Sequence, residues 1–457
     1  MMRKILFVLC LVAMNAMAQN FETAHEAVKN IRVGWNLGNT LESNSGDTLN
    51  MWIEHWTKRL PSEYETAWGQ PVTKPELMKM LKGAGFNAVR VPVTWYPHME
   101  AQFPFSTYEN SIWYASKDDL GTQIQSAWMA RVREVVDYVI SQDMYCILNI
   151  HHDTGASNTA WLIADETVYS QQRARFEAVW RQIAEEFKDY DHRLIFEGYN
   201  EMLDIKRSWC FASFAAPGQY DAGIARSAYN AINSYAQSFV DAVRSTGGNN
   251  AQRNLIVSTY GACDGSGTWN SHLKDPLKNL TLPKDVVSNH LIMEVHSYPD
   301  VQNLASVKKD VDERISAWKT YLLTKGAPLI IGEWGTSTED AYTKYRSNMQ
   351  QFYRYFIEQT KAAGITAFHW MGLTDGADRS VPKFTQPDLL DAIIKGYYGE
   401  GGYTGIDNGV SKEETVADIY SINGMCLYQN VKRSDISSML PKGIYIVDGR
   451  KFIVDGR

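Results

Sequence analysis

The chain has 457 residues, 44% of them apolar, which is enough for one large core of roughly 250 to 350 residues and a smaller appendage. A net charge of −7 leaves no basic stripe for nucleic acid, while 14 Trp and 25 Tyr suit a neutral polar ligand with apolar faces, such as a sugar. Five cysteines with no CxxC spacing exclude a disulfide-built scaffold and a structural zinc site.

The opening "MMRKILFVLCLVAMNAMAQN" has basic Arg3 and Lys4, an apolar run from Ile5 to about Ala13, and Ala16 and Ala18 in a signal peptidase pattern. It is read as a signal peptide over 1–18, with the mature chain starting at Gln19. The run is too short to span ~30 Å of hydrocarbon, and no other stretch approaches a transmembrane length. The expected product is a secreted or cell-surface monomer with no membrane span and no nucleic-acid partner.

Beyond the leader, short apolar or β-branched runs alternate with amphipathic stretches. Strands are predicted over 31–38, 87–93, 145–151, 194–200, 254–261, 290–298, 328–335 and 365–372. Helices are predicted over 75–83, 124–142, 171–188, 226–245, 307–324, 342–363 and 387–398, several of them stopped by glycine. This order predicts an α/β fold, a (β/α)8 TIM barrel with a small C-terminal all-β appendage. An open doubly wound sheet is the alternative, disfavoured because "GWNLGNT" lacks the third glycine of a phosphate-binding loop and opens no helix.

A barrel should collect polar residues where its strands end, because such folds carry their sites there. The predicted strand ends hold Asn36 and Asn39, Arg90, His151 and His152, Asn200 and Glu201, His296 and Tyr298, Glu333, and His369 and Trp370. Glu201 after the fourth strand and Glu333 after the seventh would face one another across the barrel mouth. Two such carboxylates are what glycoside hydrolysis needs: one protonates the leaving oxygen, and the other attacks the anomeric carbon or activates water. Arg90 is a permanent charge suited to keeping Glu333 ionised, and the Tyr298 hydroxyl can donate to the same carboxylate. Glu201, beside Asn200 and near His296, is the better candidate acid. Asn200 can also bond a sugar 2-hydroxyl, and Trp370 offers a flat face to a pyranose ring.

Together "GWNLGNTLES", "ETAWGQPVTKPELMKMLKGAGFNAVRVPVTW", "LNIHHD", "FEGYNE", "EVHSY", "IIGEWG" and "FHW", in that order over about residues 25 to 398, resemble glycoside hydrolase family five, the retaining cellulase family. The resemblance implies Glu201 as acid/base and Glu333 as nucleophile, with Arg90, His151, Asn200, His296, Tyr298 and Trp370 completing the site. It also implies a β-glucan polysaccharide substrate and no cofactor. "GWNLGNT" with "ETAWG" looks most like the endo-β-1,4-glucanase and xyloglucanase branch. The chain departs from it in lacking a Pro after Asn200-Glu201 and in a long connection over 96–123. Xyloglucan, β-1,3-1,4-glucan, mannan and xylan stay open as substrates, as does a non-catalytic carbohydrate-binding barrel.

His151, His152 and Asp153 are not read as metal ligands, because adjacent histidines on a strand point to opposite faces; no metal is expected. Trp35, Trp95, Trp113, Trp161, Trp209, Trp269 and Trp334 are candidates for lining a substrate groove. The expected domains are a catalytic domain over 19–398, a Gly-rich linker over 399–415 and a small β-rich unit over 416–457. The last alternates apolar and polar residues, with turns expected at Asn423-Gly424, Lys442-Gly443 and Asp448-Gly449. It resembles the C-terminal sorting domain of the type IX secretion pathway, which implies the secretion machinery as a partner.

Overall fold

Eight parallel strands close into a barrel, and each falls within a predicted span: β1 Gly34–Asn36, β2 Ala88–Val91, β3 Tyr145–Asn149, β4 Leu194–Glu197, β5 Leu255–Ser258, β6 Leu291–Ser297, β7 Leu329–Trp334 and β8 Thr366–Trp370. The computed structural model describes residues 21–47, 51–101, 108–109, 112–113, 120–209, 220–267, 270–404, 416–421, 426–432, 436–441, 443–447 and 450–454. The expected leader, residues 405–415 of the linker expected over 399–415, Trp269, Lys442 and the turns at Asn423-Gly424 and Asp448-Gly449 lie outside the described residues. So does much of the connection over 96–123.

Helices α1 Ala24–Asn30, α2 Pro75–Ala84, α3 Ser126–Ile140, α4 Glu166–Glu186, α5 Ala222–Arg244, α6 Leu304–Tyr321, α7 Arg346–Ala362 and α8 Pro387–Tyr398 accompany the strands. All but α1 match a predicted helix. After α2 the chain turns at Gly85, whose φ of 106° is a left-handed conformation that favours glycine. The first compact unit runs to Thr404, and Tyr403 packs on Tyr398 at its end.

Side chains alternate across a strand, so one face of every strand enters the barrel. The lower inward layer is apolar: Ala88, Ile147, Ile195, Ile256, Ile292, Ile330 and Phe368 form one buried cluster with Ala24, Ala27, Val28 and Ile31 from α1 and its end. That short helix closes the barrel base, which its weak sequence signal did not predict. Two residues further along, the same face carries Asn36, Arg90, Asn149, Glu197, Ser258 and Glu294, all buried. Thus the barrel interior is apolar below and polar above. The opposite strand face, including Val89, Leu148, Phe196, Val257, Met293 and Ile331, packs against the helices in the main core.

Strand β7 breaks the alternation. Its register with β6 jumps from Val295–Ile331 to His296–Glu333, and its register with β8 from Ile331–Ala367 to Trp334–His369. One extra residue, Gly332, is absorbed in a bulge. In an unbroken strand Glu333 would fall on the outward face with Ile331; the bulge turns Glu333 into the barrel mouth, and Trp334 packs outward on Phe356 and Tyr353.

The second unit, from Gly405, contains a four-stranded antiparallel sheet. Its strands β9 Val416–Ser421, β10 Cys426–Lys432, β11 Gly443–Val447 and β12 Arg450–Val454 run in the order β10-β9-β11-β12. Ile419, Val431, Ile436, Leu440 and Val447 form its own small core.

Candidate active site

Arg90 stands at the centre of the polar layer, fully buried, and gives five hydrogen bonds. Its Nε and Nη2 donate to Glu197 at 2.6 and 2.7 Å, Nη1 to Asn36 at 3.0 Å and to Glu333 at 2.8 Å, and Nη2 to Asn200 at 2.7 Å. Burial disfavours its charge, but Glu197, Glu333 and Glu294 outweigh that and raise its pKa well above the ordinary value. Arg90 therefore binds one oxygen of Glu333, while the Tyr298 hydroxyl donates to the other at 2.7 Å. Burial, with Glu333 and Glu201 adding to it, keeps the Tyr298 phenol protonated.

Glu201 lies past the end of β4 and is part-exposed, whereas Glu333 is 5% exposed. His296 Nδ1 donates to Glu201 at 2.8 Å and stands 3.5 Å from the second oxygen of Glu333. One carboxylate oxygen of Glu201, one of Glu333 and a His296 ring nitrogen all lie within 4.8 Å of one another. Burial opposes charge on His296, yet Glu333, Glu201 and Glu294 push its pKa up to about 10. His296 is thus an imidazolium at neutral pH.

His151 differs. Burial, reinforced by His152 and Arg90, holds it well below the ordinary histidine range. Asn149 Nδ2 lies 3.0 Å from its Nδ1, so Nδ1 accepts and the proton resides on Nε2, which is 3.8 Å from Glu333. Asn200 accepts from Arg90 through its Oδ1, which assigns its NH₂ group the donor role available to a substrate. Trp370 lies parallel to His151 at 5.8 Å, in space that Gly38 leaves open. From Glu201, His296 and Tyr298 a cleft of about 680 Å³ continues past Trp209, Asp264 and Arg314.

Thus Glu201, Glu333, Arg90, His151, Asn200, His296, Tyr298 and Trp370 converge on one site. Asn36 sits beneath it: its Nδ2 donates to the Gly332 and Phe368 carbonyls at 2.9 and 3.2 Å, tying β1 to β7 and β8. Two expectations need correction. His151 and His152 do not occupy opposite faces, because both lie beyond the end of β3, and their rings meet edge to face at 4.5 Å. His152 also tilts against Trp68 at 5.4 Å, a ring the sequence did not single out. Asp153 turns away from both, accepting from the Trp95 and Tyr96 amides and from Trp161. Of the tryptophans that were candidates for a groove, Trp35, Trp95, Trp161 and Trp334 are core residues, and Trp209 lines the cleft. His369 is also buried, bonded to Tyr353 away from the mouth.

This site and fold accompany a direct likeness to known proteins. The family model for cellulase, glycosyl hydrolase family 5, matches residues 55–373. The chain belongs to glycosyl hydrolase family 5. It is 30% identical to Endoglucanase A of Clostridium longisporum over 392 residues, covering 83% of this chain and 67% of that one. A GH5-4 broad specificity endoglucanase from an uncultured bacterium superposes with a TM-score of 0.76 at 52% identity, covering 84% of this chain and 98% of its own. A family 5 enzyme from Prevotella bryantii B14, solved with a xyloglucan tetradecasaccharide, gives a TM-score of 0.69 at 37% identity, covering 82% and 99%. The chain is a glycoside hydrolase of the cellulase type.

Two carboxylates of this family 5 site escaped the sequence reading. Glu197 is bound by Arg90 and by Asn149 Nδ2 at 2.9 Å, and burial raises its pKa to about 7 against the pull of Arg90. Glu294 accepts from Ser258 at 2.5 Å, and both carboxylates are fully buried. The strands "LIFE" and "LIME" carried the signal: in each, the Glu falls two residues after an inward Ile. Attention to strand ends alone passed over that spacing.

Proposed function

We propose that the enzyme is a retaining endo-β-1,4-glucanase acting on β-1,4-glucan backbones, with Glu333 as nucleophile and Glu201 as acid/base. The observation that carries this is that a Glu201 oxygen and a Glu333 oxygen lie within 4.8 Å of one another, in keeping with the roughly 5 Å carboxyl separation of double-displacement enzymes.

Glu333, ionised between Arg90 and Tyr298, attacks the anomeric carbon. As that C–O bond forms, the bond to the leaving sugar breaks and Glu201 gives its proton to the departing oxygen. Water then attacks the same carbon, Glu201 takes its proton, and the Glu333 ester bond breaks, restoring both groups. Asn200 holds the 2-hydroxyl, Trp370 carries the ring at the cleavage point, and the cleft beside Glu201 receives the leaving-group sugars. A site open on that side suits an internal cut in a polymer.

Xyloglucan is proposed as a second substrate, because the Prevotella relative was solved with a xyloglucan oligosaccharide. Reducing-end release from cellulose derivatives, β-1,3-1,4-glucan, xyloglucan, mannan and xylan tests the reading. Release from the glucans with a rapid fall in viscosity is expected, and cleavage of short aryl glycosides alone would refute it.

We further propose export through residues 1–18, with the terminal unit acting as a type IX-like sorting domain. The pattern "LPKGIYIVDGRKFIVDGR" and the separateness of that unit support this. Deleting residues 405–457 should leave purified activity nearly intact and stop delivery to the cell surface. Loss of the folded barrel on deletion would overturn the transport role.

A further inference from the structure

Beneath the acid/base lies a carboxylate that the reaction as described does not use. Glu294, on β6, is fully buried, and its Oε1 has no hydrogen-bond partner among the described residues. The Nε2 of His296, also buried, has none either, and the two atoms face each other at 3.7 Å. Ser258 donates to the other Glu294 oxygen, and Arg90 Nε lies 3.7 Å from Oε1.

The seat of this carboxylate is built. A Cβ placed on Gly332 would overlap Glu294 Oε1, so the bulge that turns Glu333 into the mouth also vacates the space Glu294 fills. Any side chain at 332 would expel the carboxylate or displace the strand.

Resting on the assignment of Glu201 as acid/base, we propose that Glu294 is a positioning residue for that group. Its charge, 3.7 Å from His296 Nε2, attracts the Nε2–H end of the ring and so keeps Nδ1–H pointed at Glu201. A neutral ring donating from Nδ1 would set a bare Nε2 lone pair against Glu294; a doubly protonated ring satisfies both carboxylates. The charged groups against His296 are Glu294 on its own strand, Glu201 after β4 and Glu333 on β7, whose oxygens lie 2.8 to 3.7 Å from its ring nitrogens, with His151 after β3 nearby and Arg90 on β2 reaching Glu294. The three carboxylates favour the imidazolium. The direction of its shift, with Glu294 among the causes, agrees.

The test uses E294Q, which keeps the volume and removes the charge, on two substrates. Cellotetraose needs protonation of its leaving oxygen, whereas dinitrophenyl cellobioside does not. If Glu294 acts through Glu201, E294Q lowers kcat/KM on cellotetraose by about tenfold or more and on the aryl glycoside by less than about threefold, and its alkaline limb moves to lower pH. E294D, which restores the charge, should recover part of the cellotetraose activity. Equal losses on both substrates with an unmoved pH profile would mean a merely structural carboxylate and overturn the proposal. If E294Q does not fold, S258A, which removes the donor to Glu294 along with a longer 3.3 Å contact to the Tyr199 carbonyl, must give the same substrate contrast in smaller measure; its absence there also overturns it. E201A run in parallel separates the premises: if it shows no leaving-group contrast the assignment of Glu201 fails, and if it does while E294Q does not, only Glu294 fails.

Discussion

Replacing Arg90 by Lys keeps a positive charge at the centre of the site and removes the planar fork. Arg90 distributes five hydrogen bonds over Glu197, Asn36, Glu333 and Asn200. A lysine ammonium has three donors at one point and cannot hold Glu197 through two parallel bonds while also reaching the others. Two of the five bonds touch groups assigned to the reaction, Glu333 and Asn200. At about 1.5 to 3 kcal/mol for a hydrogen bond involving a charge, loss of one or both corresponds to roughly 10- to 10⁴-fold in kcat/KM. R90K should fall near the middle, about 10²- to 10³-fold, on dinitrophenyl cellobioside, with the fold retained by circular dichroism. Complete removal in R90M leaves buried carboxylates unpaired and should cost about 3 to 5 kcal/mol of stability, so that its melting temperature drops clearly below that of R90K. The reasoning fails if R90K keeps turnover within about threefold of the parent, because the fork would then contribute nothing a point charge cannot.

Tyr298→Phe removes one hydroxyl donor to Glu333 in an otherwise unchanged ring; kcat/KM should drop by about 10- to 100-fold with little change in melting temperature, and an equal loss in both stability and activity would argue for a packing role. Against burial, Glu333, Glu201 and Glu294 push His296 up to about 10 from its unfolded value of about 6.5, so its stabilisation should be complete below about pH 6.5 and lost as pH rises through about 10. Urea unfolding between pH 6 and pH 10 should therefore show the parent losing more stability than His296→Asn, and identical pH dependence would remove His296 as the cause.

The eight strands were legible because each is buried on both faces and reads as a short apolar run between helices. Their ends were legible because Asn200-Glu201, His296 and Glu333 interrupt apolar text where solvent should begin. The polar interior layer was not, since Glu197 and Glu294 sit inside runs whose other residues are apolar, and only the period of two set by Ile195 and Ile292 reveals their face. Nor could the bulge be foreseen: "LIIGEWG" fits an unbroken strand equally well, and what requires Gly332 is Glu294, distant in sequence. Tryptophan misled for a related reason. Trp35 and Trp95 bury their rings yet satisfy their N–H groups on the Met371 and Asn149 carbonyls, so an aromatic-rich sequence did not mean an aromatic-rich groove.

The pairing of Glu201 and Glu333 as acid/base and nucleophile is tested most directly by the stereochemistry of azide rescue. Glu201→Ala should still be glycosylated by dinitrophenyl cellobioside, because that leaving group needs no proton, and azide should then take the place of water to give the β-glycosyl azide. Glu333→Ala should form no covalent intermediate, and azide attacking directly should give the α-azide. Interchanged products would reverse the two roles, and full activity in either variant would contradict the carboxylate-pair mechanism.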